Sequence, residues 1–196
     1  MKKLILASTL ALMSASSFAA DDHSGFRVGG GFGTDIGKYQ LRSVDDSGKK
    51  VEADPSVVLE AGYDFNDIFA INVKGSGTGF KAYENNKSTK GQNKGTAYDL
   101  AVEAEVGYTF VTAGDAAIKP YVALGAVGFD KKTSENQLED KNAVRARGAA
   151  GVRMTLDNGV YFDGRIQATD LTPKGDKFNG KDHLLTQGLV TVGYKF

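Results

Sequence analysis

No cysteine occurs anywhere in the 196 residues, so no disulfide can hold this chain and no cysteine is available for lipid attachment at an export signal. Tryptophan is also absent, proline is limited to three residues and histidine to two. Beyond the first residues, no run approaches the roughly 18 consecutive apolar residues that a spanning helix requires. Acidic and basic residues balance at 24 each, so no charge surplus points to a nucleic-acid partner. What the chain does have is glycine, 25 residues of it, and apolar residues that recur at every second position over long stretches.

The front of the chain has the layout of an export signal. Lys2 and Lys3 precede an apolar stretch from Leu4 to Met13, too short to cross a bilayer, and Ser17-Phe18-Ala19 supplies small residues for a peptidase. Cleavage is expected after Ala19 or Ala20. Ala19 fits better, because a cut after Ala20 would put bulky Phe18 where a small residue belongs. Residues 1–19 are therefore expected to be a signal peptide and residues 20–196 one domain of roughly 176 residues. Loss of Lys2 and Lys3 takes the formal charge from zero to about −2. An exported chain without disulfides or a hydrophobic helix, if it enters a membrane, must do so as a closed sheet.

Alternation defines eight strands. The first spans about Ser24 to Ile36, with Phe26, Val28, Gly30, Phe32 and Thr34 on one face. The second, Pro55 to Phe65, points Val57, Leu59, Ala61, Tyr63 and Phe65 outward. Asn66-Asp67 turns the chain into a third strand carrying Phe69, Ile71 and Val73, followed by the glycine-rich run Gly75 to Gly79. The fourth has the clearest pattern: Tyr98, Leu100, Val102, Ala104, Val106, Tyr108 and Phe110 alternate with Asp99, Ala101, Glu103, Glu105, Gly107 and Thr109. In the fifth, Ile118 to Phe129, either Val122, Leu124 and Ala126 or Tyr121, Ala123 and Val127 could face lipid. The sixth (Ala143 to Leu156) and seventh (from Val160) flank Asp157-Asn158-Gly159, a strong hairpin signal. The last, Gly188 to Phe196, sets Val190, Val192, Tyr194 and Phe196 against Leu189, Thr191, Gly193 and Lys195. Links after the even strands are short, and those after the odd strands long and hydrophilic. The expected fold is thus all-β, an eight-stranded antiparallel transmembrane β-barrel with up-and-down topology, short periplasmic turns and long external loops.

In such a barrel the polar faces point into the lumen. They supply Arg27, Glu60, Asp64, Lys74, Asp99, Glu103, Glu105, Arg145, Arg147, Arg153, Asp163 and Arg165. An eight-stranded barrel is only wide enough for side chains to fill, so these charges are expected to pair as an interior network. At roughly 2.5 Å of axial rise per residue, Glu60 and Glu105 fall at similar heights, near Lys74, Glu103 and Arg165. Asp99 lies higher, near Arg145 and Arg147. The network can be a static plug or a gate in which Glu–Arg pairs exchange and open a narrow ion-conducting pore.

With signal, strands and terminal Phe196 assembled, the chain resembles the small outer-membrane barrel family that includes the OmpA transmembrane domain, OmpX and the opacity-type adhesins. The string Pro120-Tyr121-Val122-Ala123-Leu124-Gly125-Ala126 is similar to a stretch of opacity-type members. The resemblance implies the bacterial outer membrane, a monomer surrounded by lipid and lipopolysaccharide, and recognition of the Phe196 strand by the barrel assembly machinery. It also implies a structural or adhesin-like role carried by the external loops, with a host or envelope partner.

Other chemistries find little support. His23 precedes the first strand and His183 lies in the last loop; Asp182-His183 lacks a placed serine, so no enzyme is expected. Asp45-Asp46 and Glu52 with Asp54, expected in the first loop, lack calcium-loop spacing, and no metal or cofactor is expected. Gly29-Gly30-Gly31 and Gly33 lie inside a strand, where glycines ease packing, and not at the strand-to-helix turn of a dinucleotide site. Lys87, Lys90 and Lys94 make the second loop, about Lys81 to Gly95, positive and suited to anionic lipopolysaccharide or glycans. Exposed loop anchors are few: Tyr39, Leu41, Tyr83, Leu138 and Phe178.

Overall fold

The computed structural model describes residues 23–36, 50–83, 92–130, 144–171 and 184–196. Its nine strand segments are β1 (Gly25–Asp35), β2 (Lys50–Asp64), β3 (Phe69–Tyr83), β4 (Gln92–Gly107), β5 (Phe110–Val111), β6 (Ala117–Phe129), β7 (Val144–Thr155), β8 (Val160–Asp170) and β9 (Leu184–Lys195). β5 continues the line of β4 after a break at Tyr108-Thr109, and both pair with β6, so the nine segments occupy eight positions in the wall. Every neighbour is antiparallel and next in sequence, and β1 pairs with β9 from Arg27↔Lys195 to Asp35↔Gln187 to close the cylinder. The fold is a closed eight-stranded barrel: among the described residues, no sheet edge is left around the girdle where all eight strands pair.

The wall is inverted relative to a water-soluble protein. Phe32, Leu59, Leu124 and Val190 are 64–73% exposed, whereas Arg27, Lys74, Glu103 and Asp163 on the inner face are 1–2% exposed. Alternation follows from the period-two pleat: each outward apolar residue is flanked by inward ones. The parity left open in the fifth strand is settled in β6: Val122 and Leu124 face out, and Tyr121, Ala123 and Val127 are buried inside.

The short turns collect at one end. Asn66 accepts hydrogen bonds from the amides of Ile68 (2.9 Å) and Phe69 (2.8 Å), the local side-chain bonding that makes Asn a turn former. Asn158 does the same for Val160, and Gly159 follows with φ of 86°, a conformation that a Cβ disfavours.

At the other end three strands run further than alternation predicts. β1–β2 pairing stops at Gly33↔Ser56 and β4–β6 pairing at Asp99↔Phe129, but β2–β3 continues to Lys50↔Tyr83 and β3–β4 to Tyr83↔Gln92. The expected second loop, Lys81 to Gly95, is therefore shorter: its flanks are strand, and Tyr83 and Lys94 stand in β3 and β4. Glu52 and Asp54 likewise belong to β2 and not to a first loop. Glycine explains the difference. Gly75, Gly77 and Gly79 give no side-chain alternation to read, yet their backbones keep the ladder to β4 intact. A bulge between Ala53 and Ser56, where Pro55 lacks an amide hydrogen, bends the edge of this projection.

Candidate functional site

The most distinctive chemistry lies in the lumen, where inward side chains from all around the wall meet. Near the short turns, Arg27 on β1 donates through Nε to Asp64 on β2 (2.8 Å) and through Nη2 to Asn72 on β3 (2.9 Å). Asn72 donates onward to Glu105 on β4 at 2.9 Å. Arg153 on β7 grips Glu105 with both terminal nitrogens, at 2.9 and 2.8 Å, and lies 3.1 Å from Asp163 on β8. Tyr121 on β6 donates its hydroxyl to Asp163 at 2.8 Å, with the Arg153 guanidinium 5.0 Å from its ring centroid. Lys119 stands 3.3 Å from Glu105 and 3.4 Å from Asp64, and Lys195 3.2 Å from Asp64.

Further in, Lys74 pairs with Glu60, its register partner on the adjacent strand. Glu60 also accepts from the Tyr161 hydroxyl (2.6 Å) and from Thr191 (2.9 Å). Arg165 on β8 spans the lumen to Glu103 on β4 through two bonds of 2.7 Å, and Gln167 donates to Gln187 at 3.0 Å beside it. Nearer the external end, Arg147 donates to Asp99 (3.2 Å) and Thr169 (2.9 Å), and Ser76 also donates to Asp99. Arg145, half-buried on the same face of β7, donates to the Val144 carbonyl at 3.2 Å. Val58, Ala101, Ala123, Val127 and Leu189 fill space between the charges, and Leu171 packs with Phe129 and Leu185.

Pairing is what makes this interior tolerable. An isolated buried charge would be costly, and two-pronged Arg–carboxylate contacts set opposite charges against each other. The strands bring Glu60 to Lys74, Glu103 to Arg165, Glu105 and Asp163 to Arg153, and Asp99 to Arg147. Arg165 and Glu105, grouped at similar height by axial rise, are not partners: each is held by another group. Lys119, Tyr121, Asn72, Tyr161 and Lys195 complete the cluster and were not among the candidates. The signal for Lys119 and Tyr121 was masked by a strand that is apolar on both faces. Neutral Asn72 and Tyr161 carried no charge to mark them.

Outside the lumen, His23 pairs with Asp67 of the β2–β3 turn at 2.6 Å, placing it at the short-turn end. His183, Asp45, Asp46, Lys87, Lys90, Tyr39, Leu41, Leu138 and Phe178 lie outside the described residues. Among the described residues, no group of three or more His, Cys, Asp or Glu could hold a metal ion.

A closed barrel with an apolar exterior, a paired-charge interior and short turns at one end is the architecture of a bacterial outer membrane. The sequence profile of the outer membrane protein beta-barrel domain matches residues 5–196. This chain belongs to that family. Among solved structures, the outer membrane protein OprG from Pseudomonas aeruginosa superposes with a TM-score of 0.51 at 15% identity, covering 90% of this chain and 97% of that one. Ail of Yersinia pestis, crystallised with the heparin analogue sucrose octasulfate, gives 0.43 at 12% identity, covering 88% and 99%. Neisserial surface protein A gives 0.42 at 16% identity, covering 88% and 98%. Comparison with curated protein sequences finds no match. As an outer-membrane barrel family member, the protein resides in the bacterial outer membrane, its strands crossing the lipid.

Proposed function

We propose that this barrel is a sealed scaffold whose external end makes the biologically relevant contacts, and that it is neither an enzyme nor a standing pore. One observation carries the reading. The Glu103–Arg165 and Glu105–Arg153 pairs join distant strands across the lumen, so paired side chains occupy the space that a channel would need. What remains for function is the external edge, where β2, β3 and β4 project beyond their neighbours and the segment 84–91 joins the tips. Lys87 and Lys90 in that segment suit an anionic partner, such as lipopolysaccharide or a host glycan.

The remaining assignments fit the same picture. Residues 1–19 act as an export signal and the mature domain begins at residue 20. The Phe196 strand serves the assembly machinery, and the barrel works as a monomer in adhesion or colonisation. Phe196 stands at the short-turn end, with its amide donating to the Phe26 carbonyl (2.8 Å) and its ring 5.0 Å from that of Tyr194.

Because Tyr83 and Gln92 are register partners, residues 84–91 can be replaced by a two-residue hairpin turn without disturbing the ladder. The replacement is expected to keep the heat-dependent gel shift of a folded barrel and to lower attachment of expressing cells to anionic glycan surfaces. Unchanged attachment would overturn the surface role. The second reading is a narrow pore gated by exchange of ion pairs. It draws on Asp64 and Glu105, which each lie within 4 Å of several cations: Arg27, Lys119 and Arg153 surround both. Discrete openings in planar bilayers of the wild-type protein would favour it over the sealed scaffold.

A further inference from the structure

We infer that Tyr161 is a crossbar that keeps the β1–β9 seam shut. The seam is the weak junction on physical grounds. β1 and β9 are separated by nearly the whole chain, so no hairpin turn holds them together and the ladder between them must resist opening unaided. If it opens, it exposes two unpaired strand edges in lipid.

Tyr161 projects inward from β8 and is fully buried. Its hydroxyl reaches Glu60 on β2, at 2.6 Å, so the side chain passes over both seam strands, β9 and β1, before it finds its partner. Beneath the ring lie Gly193 of β9 and Gly29 of β1, which face each other across the seam in register. A Cβ on Gly29 would stand 2.2 Å from Tyr161 Oη, and one on Gly193 would stand 2.5 Å from Cε1 and Cζ of the ring. The two glycines thus form a trough, running across the seam, that the ring fills. Close approach of this kind is a positional use of glycine within a strand. Lys74 fixes the far anchor by pairing with Glu60, and Thr191 of β9 adds a second, lighter tie to the same carboxylate at 2.9 Å. To part β1 from β9, the Tyr161–Glu60 bond must break and the ring must leave its trough.

Hydrogen exchange of the full barrel, refolded in detergent micelles, tests this strand by strand. In Tyr161→Ala, amide exchange across 27–35 and 187–195 is expected to rise about ten-fold or more, while the β3–β4 ladder stays within about two-fold of wild type. Tyr161→Phe, which keeps the ring, should give a smaller rise confined to the same seam. Gly29→Ala should loosen the seam strongly alone and much less in the Tyr161→Ala background, where only the 2.9 Å approach of the added Cβ to the Val192 carbonyl remains. A uniform rise over all ladders, an unchanged seam, or fully additive Gly29 and Tyr161 effects would each overturn the inference. Should Tyr161→Ala not fold, the same two patterns, seam-confined or uniform, decide the matter in Tyr161→Phe.

Discussion

Glu103 on β4 and Arg165 on β8 meet across the lumen through two hydrogen bonds of 2.7 Å each, although three strand junctions separate them along the shorter way round the wall. Both are nearly inaccessible to water. Removal of one partner strands the other as a buried charge, and such losses cost about 3–5 kcal/mol, more than the intact pair contributes over an apolar substitute. Arg165→Met is therefore expected to lower the stability of the barrel by that amount in urea unfolding from micelles. Glu103→Leu combined with Arg165→Met should recover much of the loss. A single variant as stable as wild type would show that the contact is incidental.

Arg153 offers the cleanest test of the seal. It serves Glu105 and Asp163 and lies 3.7 Å from Asp64, so Arg153→Ala leaves three carboxylates facing newly vacated space. Water should enter, and the layer loses one positive charge while Arg27, Lys119 and Lys195 still face those carboxylates. The expected outcome in planar bilayers is a small conductance, absent from wild type and without strong preference for ions of either sign, read from a reversal potential close to zero in a salt gradient. If Arg153→Ala stays silent, the plug extends beyond this layer. A strong preference for one sign would show that the assigned charge balance is wrong.

These pairings also show where sequence reading stops. The inward charges of the fourth, sixth and seventh strands stood out because one face of each is apolar and the other is not. Partner choice did not, since it depends on the stagger between strands that are far apart in sequence. Axial height grouped both Glu103 and Glu105 with Arg165 and could not choose between them; the structure gives Arg165 to Glu103 and Arg153 to Glu105. Lys119 and Tyr121 were missed for another reason: Pro120 to Ala126 is apolar or glycine on both faces, so alternation carries no signal there. The upward reach of β3 was hidden by glycines, whose contribution is backbone alone.

The parity of β6 can be checked directly. Leu124 is 73% exposed on the lipid face, and its neighbour Ala123 is 2% exposed inside. An arginine facing the middle of the bilayer costs about 2–4 kcal/mol, with less near the interfaces. Leu124→Arg should therefore destabilise the barrel by roughly that amount in lipid vesicles. Leu124→Phe should be close to neutral, since the wall meets only acyl chains at that position. Ala123→Phe should be the harmful aromatic change, because it must displace lumen side chains already in contact. The opposite ranking of the two phenylalanine variants, by unfolding midpoint, would reverse the assignment of faces.

The turn at Gly159 makes the last prediction, and it separates local geometry from membrane burial. Gly159 has φ of 86°, and an added Cβ would stand 2.6 Å from the Lys195 carbonyl oxygen and 2.9 Å from the Tyr194 ring. Its own carbonyl accepts the Lys195 amide at 2.8 Å, so the turn braces the end of β9 as well as joining β7 to β8. Two costs add in Gly159→Val: the left-handed backbone, which a β-branched residue resists, and the clash with β9. Neighbouring Asn158, whose side chain accepts the Val160 amide at 3.0 Å, sets the scale for loss of a single turn bond, about 1 kcal/mol. Gly159→Val should cost clearly more than Asn158→Ala in equilibrium unfolding. It should also raise exchange of the amides at 193–195, which Asn158→Ala should leave unchanged. If the two variants behaved alike, Gly159 would serve the hairpin only, and the brace on β9 would have to come from Tyr194 and Phe196.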